Sequence, residues 1–221
     1  MPYPSDYSPR VTLTFHEKHS SVALLTLCNP TRKNALTVSM MEQLDRHVQT
    51  LARWSISGDG SDGSVNSIDD QGSKNNDARV VILTGSNGTF CAGLDLHDNE
   101  QTGVGDGTGD DSTAHSLREG INMIQHMTRV TNQLLSLPVL SISAVDGFAV
   151  GGGAELTTCT DLVVMSRTAK IQFVHSKRGA STGWGGGRRL VNKVGRARAL
   201  RMLLLGEHVH GKEEARDWLN Y

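Results

Sequence analysis

"DGFAVGGGAELTTCTD", Asp146 to Asp161, sets three glycines in a row directly before a helix start and a glutamate, Glu155. Glycine weakens the interior of regular elements. A triplet therefore marks backbone that takes an unusual conformation or lets a neighbour come close. A helix start adds unpaired N–H groups and the positive end of the helix dipole. Together these features describe a cradle for an oxyanion or a phosphate. Taken alone, they describe a tight strand-to-helix turn equally well.

Outward from this turn, strands and helices alternate. "VLSISAVDG" (Val139 to Gly147) reads as a buried strand, as do "SVALLTLC" (Ser21 to Cys28) and "RVVILTG" (Arg79 to Gly85), the last as a strand covered on both faces. "NPTRKN" (Asn29 to Asn34) is a turn. Ser39 to Trp54 predicts a helix whose Met41, Leu44, Val48 and Leu51 form one stripe. "INMIQHMTRVTNQLLSL" (Ile121 to Leu137) predicts a second amphipathic helix, stopped before Pro138. "DLVVMS" and "IQFVH" read as short strands, "GRARALRMLLLG" as a helix closed by Gly206, and "KEEARDWLN" as the start of another helix. Such alternation predicts an α/β domain with largely parallel pairing. Residues 55–77 and 101–111 are rich in Ser, Gly, Asp and Asn and predict disordered loops.

The 221 residues suffice for one sizeable domain, and the formal net charge of -1 offers no basic surface for nucleic acid or for an anionic membrane. No apolar run approaches the ~18 residues of a membrane span, and "MPYPSDYSPR" holds no apolar segment for a secretory signal. Cys28, Cys91 and Cys159 fit neither a zinc spacing nor a disulfide framework, which predicts reduced thiols in an intracellular protein. The histidines other than His175 show no metal-ligand spacing, and "HVH" (His208 to His210) is too short a signal, so no metal is predicted.

Glycine-bearing segments follow two of the buried strands: "TGSNGTFCAGLDL" and "DGFAVGGGAEL". In α/β folds ligands bind at strand ends. "TLCNPTRKNAL", "TFCAGLDL", "GGGAEL", "CTDLVV" and "GWGGGRRL", in this order, resemble the crotonase superfamily of enoyl-CoA hydratases and isomerases over about Val22 to Asn220. The resemblance implies the fold class: α/β, the ClpP/crotonase-type fold of repeated ββα units, as a single domain over residues 1–221. It implies an acyl-CoA substrate, with coenzyme A as part of the thioester and no permanently bound cofactor. It further implies a homotrimer or hexamer, with no nucleic-acid or membrane partner. The expected setting is cytosolic or mitochondrial, a peroxisome-type organelle remaining open. Crotonases continue beyond the point where this chain stops, "ARDWLNY", so the C-terminal helical part is expected to be missing or truncated.

Residue by residue, the resemblance implies an oxyanion hole made by the main-chain N–H groups of Leu94 and Gly152. It places coenzyme A contacts at Thr31, Arg32, Lys33, Ala92 and Leu96, and gives Gly151 and Trp184 to the substrate site. The plainer readings are a solvated turn for Arg32 and Lys33 and core packing for Trp184.

A hydratase needs two carboxylates flanking a water. Glu155 occupies the first such position, and His175 stands at the second. This departure, with "FVH" and the "WGG" of Trp184 to Gly186, resembles the ethylmalonyl-CoA decarboxylase branch. Loss of CO2 from ethylmalonyl-CoA or methylmalonyl-CoA leaves an enolate that two N–H donors stabilise, and no base has to take a carbon-bound proton. His175 then orients the carboxylate or protonates the enolate, while Glu155 supplies the proton or holds His175. Two other readings stay open: an enoyl-CoA hydratase or isomerase of fatty-acid metabolism working with Glu155 alone, and a non-catalytic CoA-binding relative. Glu155 as a helix-start carboxylate and His175 as an ordinary strand-end histidine are the bland alternatives.

Overall fold

A computed structural model describes residues 8–56, 78–95 and 110–211, without the side chains of residues 55–56 and 110–116. The apolar runs of the sequence become the strands of a five-stranded sheet in the order β1-β2-β3-β4-β6. β1 (Arg10–His16) and β2 (His19–Cys28) form an antiparallel hairpin, with Val11 opposite Leu27. β3 (Val80–Gly85), β4 (Leu140–Val145) and β6 (Leu162–Met165) follow in parallel, in the register Leu25–Leu83, Leu83–Ser143 and Ser143–Val163. Ala23, Leu25, Leu27, Val81 and Leu83 face the core and are buried.

That core is closed by two helices. α1 (Val38–Ile56) buries Met41, Leu44, Val48 and Leu51, the stripe expected from their spacing. α2 (Asp110–Leu135) buries Met127, Val130 and Leu134. Each such side chain stabilises the fold by about 1.5–3 kcal/mol on transfer from water. The bidentate pair from Arg129 to Asp45, at 2.9 and 2.7 Å, ties α2 to α1.

On the other side of the sheet, Val80 and Ile82 are half-buried and Leu140, Leu162 and Val164 are exposed. β3 is therefore not covered on both faces by the described residues, contrary to the reading of its continuous apolar run. An apolar run reports β preference and at least one buried face, and leaves the second face undecided.

A three-stranded sheet, β5 (Phe148–Val150), β7 (Lys170–Gln172) and β8 (His208–His210), stands beside the first. "HVH" is thus a strand paired with β7. The glycine triplet leads from β5 into α3 (Gly152–Thr157), so Gly152 and Gly153 lie within the helix rather than before it. α4 (Gly186–Val194) and α5 (Arg196–Leu200) complete the described helices, and a π-helical turn, Arg201–Leu205, continues α5 up to Gly206 at φ 64. "GRARALRMLLLG" is accordingly two kinds of turn rather than one regular helix.

Of the two low-complexity segments, residues 55–56 belong to α1 and residues 110–111 to α2. The remainder of both, and "KEEARDWLN", lie outside the described residues.

Candidate active site

The loop after β3 and the turn after β5 meet, as their positions at strand ends suggested. Segment Cys91 to Asp95 is stitched on both sides by main chain. Cys91 N–H donates to the Phe148 carbonyl and Val150 N–H to the Cys91 carbonyl, both at 2.9 Å. On the other side, Leu36 N–H donates to the Gly93 carbonyl at 2.7 Å and Asp95 N–H to the Leu36 carbonyl at 2.9 Å. Peptide groups of an extended segment alternate sides. With Gly93 and Asp95 turned toward Leu36, the Leu94 N–H points the other way and donates to none of the described residues. The Gly152 N–H, the first of α3, is likewise unpaired among them.

Each glycine here has its own reason. Gly151 sits at φ 57, ψ −121, a conformation essentially reserved for glycine. Gly153 has no room for a side chain: a methyl there would lie 2.1 Å from the Cys91 carbonyl oxygen. On Gly93 it would meet the Val150 carbonyl oxygen at 2.9 Å and the Gly152 nitrogen at 3.2 Å. On Gly152 it would strike the Trp184 ring at 2.4 Å, so that ring lies on the Gly152 backbone.

Glu155, 1 % exposed, projects from α3 into the loop before α4. Its Oε1 accepts from Gly183 N–H at 3.2 Å and faces His175 Nε2 at 3.1 Å; its Oε2 accepts from Trp184 and Gly186 N–H, both at 2.9 Å. A carboxylate has about four lone-pair positions; three main-chain N–H groups take three of them, and the His175 ring lies beside the fourth. Glu155 is more than a helix-start carboxylate. Nδ1 of His175 is buried and without a hydrogen bond. The Trp184 carbonyl accepts from Arg189 Nη2 at 2.7 Å and from the Thr131 hydroxyl at 3.0 Å. Burial pushes the Arg189 guanidinium below its usual range, against the pull of Cys159 and Glu155. Burial also pushes the Cys91 thiol up to about 12, which makes it an inert core residue rather than a nucleophile.

A cavity of about 280 Å³ opens where these parts converge. Seven of the residues singled out from the sequence line it: Ala92, Leu94, Gly151, Gly152, Glu155, His175 and Trp184. Trp184, 4 % exposed, is both core and wall. Thr31, Arg32 and Lys33 lie outside the lining on an exposed 3-10 turn, joined to it by the Ala92 N–H bond to the Lys33 carbonyl at 3.0 Å. Buried Asn34 clamps that turn to the β3 loop by donating to the Ser86 and Thr89 carbonyls at 2.8 and 2.6 Å. Leu96 lies outside the described residues. Sequence reading missed Met123 and Ile124, which α2 brings to the cavity, and Arg178. The helix period placed the first two on a helix without saying that its exposed edge meets a loop some 60 residues later. Arg178 was visible only as one charge in a polar run.

Fold and site define a class. The chain belongs to the enoyl-CoA hydratase/isomerase family, whose model matches residues 70–218. It is 32% identical to the ethylmalonyl-CoA decarboxylase of Gallus gallus over 205 residues, which cover 93% of this chain and 57% of the relative. With the ethylmalonyl-CoA decarboxylase of Danio rerio it shares 34% over 187 residues, covering 84% and 51%. The chain thus spans about half the length of these curated relatives. A Thermobifida fusca YX structure in complex with acetoacetyl-CoA superimposes with a TM-score of 0.68 at 26% identity, covering 93% of this chain and 70% of that one.

Among the described residues, no helix is long and apolar enough to cross a membrane, and no group of three or more His, Cys, Asp or Glu is arranged to hold a metal.

Proposed function

We propose that the chain carries the site of an acyl-CoA carboxy-lyase acting on a malonyl-type thioester such as ethylmalonyl-CoA or methylmalonyl-CoA. The observation that carries this reading is the state of Glu155. With three main-chain N–H bonds and the His175 ring on its two oxygens, it is engaged as an anchor rather than poised to take a proton from a substrate carbon or a water. Hydration and isomerisation need such a base; decarboxylation does not. The names of the two relatives support the same reading.

In the proposed reaction, the thioester oxygen accepts from the N–H groups of Leu94 and Gly152. The bond between the α-carbon and the carboxylate breaks, its electron pair moves into the thioester to form an enolate, and CO2 leaves. Two fixed N–H donors in a dry site are each worth about 3 kcal/mol toward that charge. Protonation of the α-carbon then regenerates a neutral acyl-CoA. His175, which lines the cavity beside the two N–H donors, is the proton donor. Glu155 holds its ring through the contact with Nε2 at 3.1 Å. Ala92 and the turn of Thr31 to Lys33 carry the coenzyme A moiety.

The test is CO2 release from ethylmalonyl-CoA and methylmalonyl-CoA, with crotonyl-CoA hydration followed on the same preparation. Release without hydration is expected. Hydration without release overturns the proposal. Silence in both with a rise in Tm on adding coenzyme A assigns the chain to the non-catalytic CoA-binding relatives and overturns the proposal; silence with no rise counts against any coenzyme A role and overturns it equally.

A further inference from the structure

Among the described residues, one cation lines the cavity, and none of them pairs with its side chain. Arg178 is the only Lys or Arg among the described residues lining the cavity. Its side chain is exposed, and no described residue holds the guanidinium; only its main-chain N–H is engaged, with the His175 carbonyl at 2.9 Å. Local geometry places it there. His175 has helical dihedrals of φ −58 and ψ −47, Ser176–Arg178 make one 3-10 turn, and Gly179 ends it at φ 67. With three residues per turn, positions i and i+3 are eclipsed. Arg178 therefore stands over His175 on one face of the turn, and both reach the cavity.

The remaining surroundings make this charge selective. Met123, Ile124, Leu94, Val174 and Trp184 offer apolar surface, and the one carboxylate among the described lining residues, Glu155, is held by three main-chain N–H groups and faced by His175. A neutral acyl chain needs nothing from Arg178. A substrate bearing a free carboxylate meets one guanidinium, whose fork matches two carboxylate oxygens.

We propose that Arg178 is the specificity-determining residue that holds the free carboxylate of a malonyl-type acyl-CoA and so separates this class from neutral enoyl- and acyl-CoA thioesters. This rests on the decarboxylase reading. The pair is strongest with the intact carboxylate and weakens as the electron pair moves onto the thioester oxygen and CO2 departs. Its contribution therefore falls on substrate binding rather than on turnover, and the product is released without it.

Ethylmalonyl-CoA and butyryl-CoA differ only by that carboxylate and are compared on the full chain, Arg178→Gln and Arg178→Lys. Where CO2 is released, the KM for ethylmalonyl-CoA and the inhibition constant of butyryl-CoA are read; where it is not, calorimetry reads both affinities. Arg178→Gln is expected to raise the KM, or weaken binding, of ethylmalonyl-CoA about 10- to 100-fold. Its kcat should not fall, butyryl-CoA should be unaffected, and Arg178→Lys should lie between. Equal weakening of both thioesters assigns Arg178 to the coenzyme A phosphates and overturns the proposal, as does an unchanged ethylmalonyl-CoA affinity. A wild-type chain that prefers ethylmalonyl-CoA through Arg178 yet releases no CO2 upholds the carboxylate site and overturns the reaction. CO2 release with Arg178→Gln indistinguishable from wild type overturns Arg178 alone.

Discussion

The first wall of the cavity, Ala92 to Leu94 with Gly151 to Gly153, is held by main-chain hydrogen bonds and by contacts too close for a side chain. The second, Val174 to Trp184, hangs from the side chains of Glu155, Arg189 and Thr131. A wall made of peptide groups tolerates almost any neighbour but no added Cβ. A wall hung on one buried carboxylate tolerates changes in the loop itself but not at its anchor. The two should therefore break in different ways.

The largest effect is expected at Gly153. An added methyl would sit 2.1 Å from the Cys91 carbonyl oxygen, which is main chain and cannot rotate away. Gly153→Ala should cost about 3 kcal/mol, seen as a fall in Tm of roughly 6–12 °C. A wild-type Tm would mean that the first wall yields more readily than its hydrogen bonds imply.

Next comes Glu155→Gln. The amide keeps the shape but turns a donor toward main-chain donors and removes the charge that strengthens the remaining bonds. A loss of about 2–3 kcal/mol in chemical denaturation is expected. The loop from Arg178 to Thr182 should also be cut faster by protease. Unchanged cleavage would show that Arg189 and Thr131 suffice to hold the second wall.

His175→Phe sharpens the contrast, because His175 ends on the anchor without being one. Stability should change by less than about 1 kcal/mol, whereas CO2 release should fall about 100-fold or more. A large loss of stability with little loss of turnover would move His175 from the chemistry to the support of Glu155.

The smallest effect lies outside both walls, where Arg129 ties α2 to α1. Burial pushes the Asp45 carboxyl up, but hydrogen bonds from Arg129 and Gln49 and the charges of Arg129 and His126 outweigh it and leave Asp45 below its ordinary 3.8. Because the folded form holds its proton less tightly than the unfolded one, this contribution is complete above pH 3.8 and is lost as pH falls through the folded value. Arg129 is half exposed, so Asp45→Asn should cost less than about 1 kcal/mol. Its Tm should converge on that of wild type in acid. A gap that persists at pH 2 would assign the effect to packing between α1 and α2.

What was readable in advance followed local physics. The stripe of Met41, Leu44, Val48 and Leu51 expresses the period of 3.6 that a helix must obey to bury one face, and the apolar runs of β2, β3 and β4 marked them as strands. Leu94, Gly152, Glu155, His175 and Trp184 were legible because an ordered set of motifs carried a family resemblance, and the structure gathers all five around one cavity. β1, β8 and α4 were not picked out, although Val11, Leu13 and Phe15 alternate along β1 with period 2; β8 and α4, of three and nine residues, are short.

The sequence by itself determined the strand and helix alternation and the family, because these depend on neighbours and motif order along the chain. Only the tertiary structure decided that three main-chain N–H groups hold the Glu155 carboxylate, that the Trp184 ring lies on Gly152 and that Arg178 joins His175 at the cavity. Two of these are contacts between groups about 30 residues apart, and the third depends on which way a turn faces. Hydrogen-bond capacity and charge acquire their chemical meaning from such contacts, which no local pattern encodes.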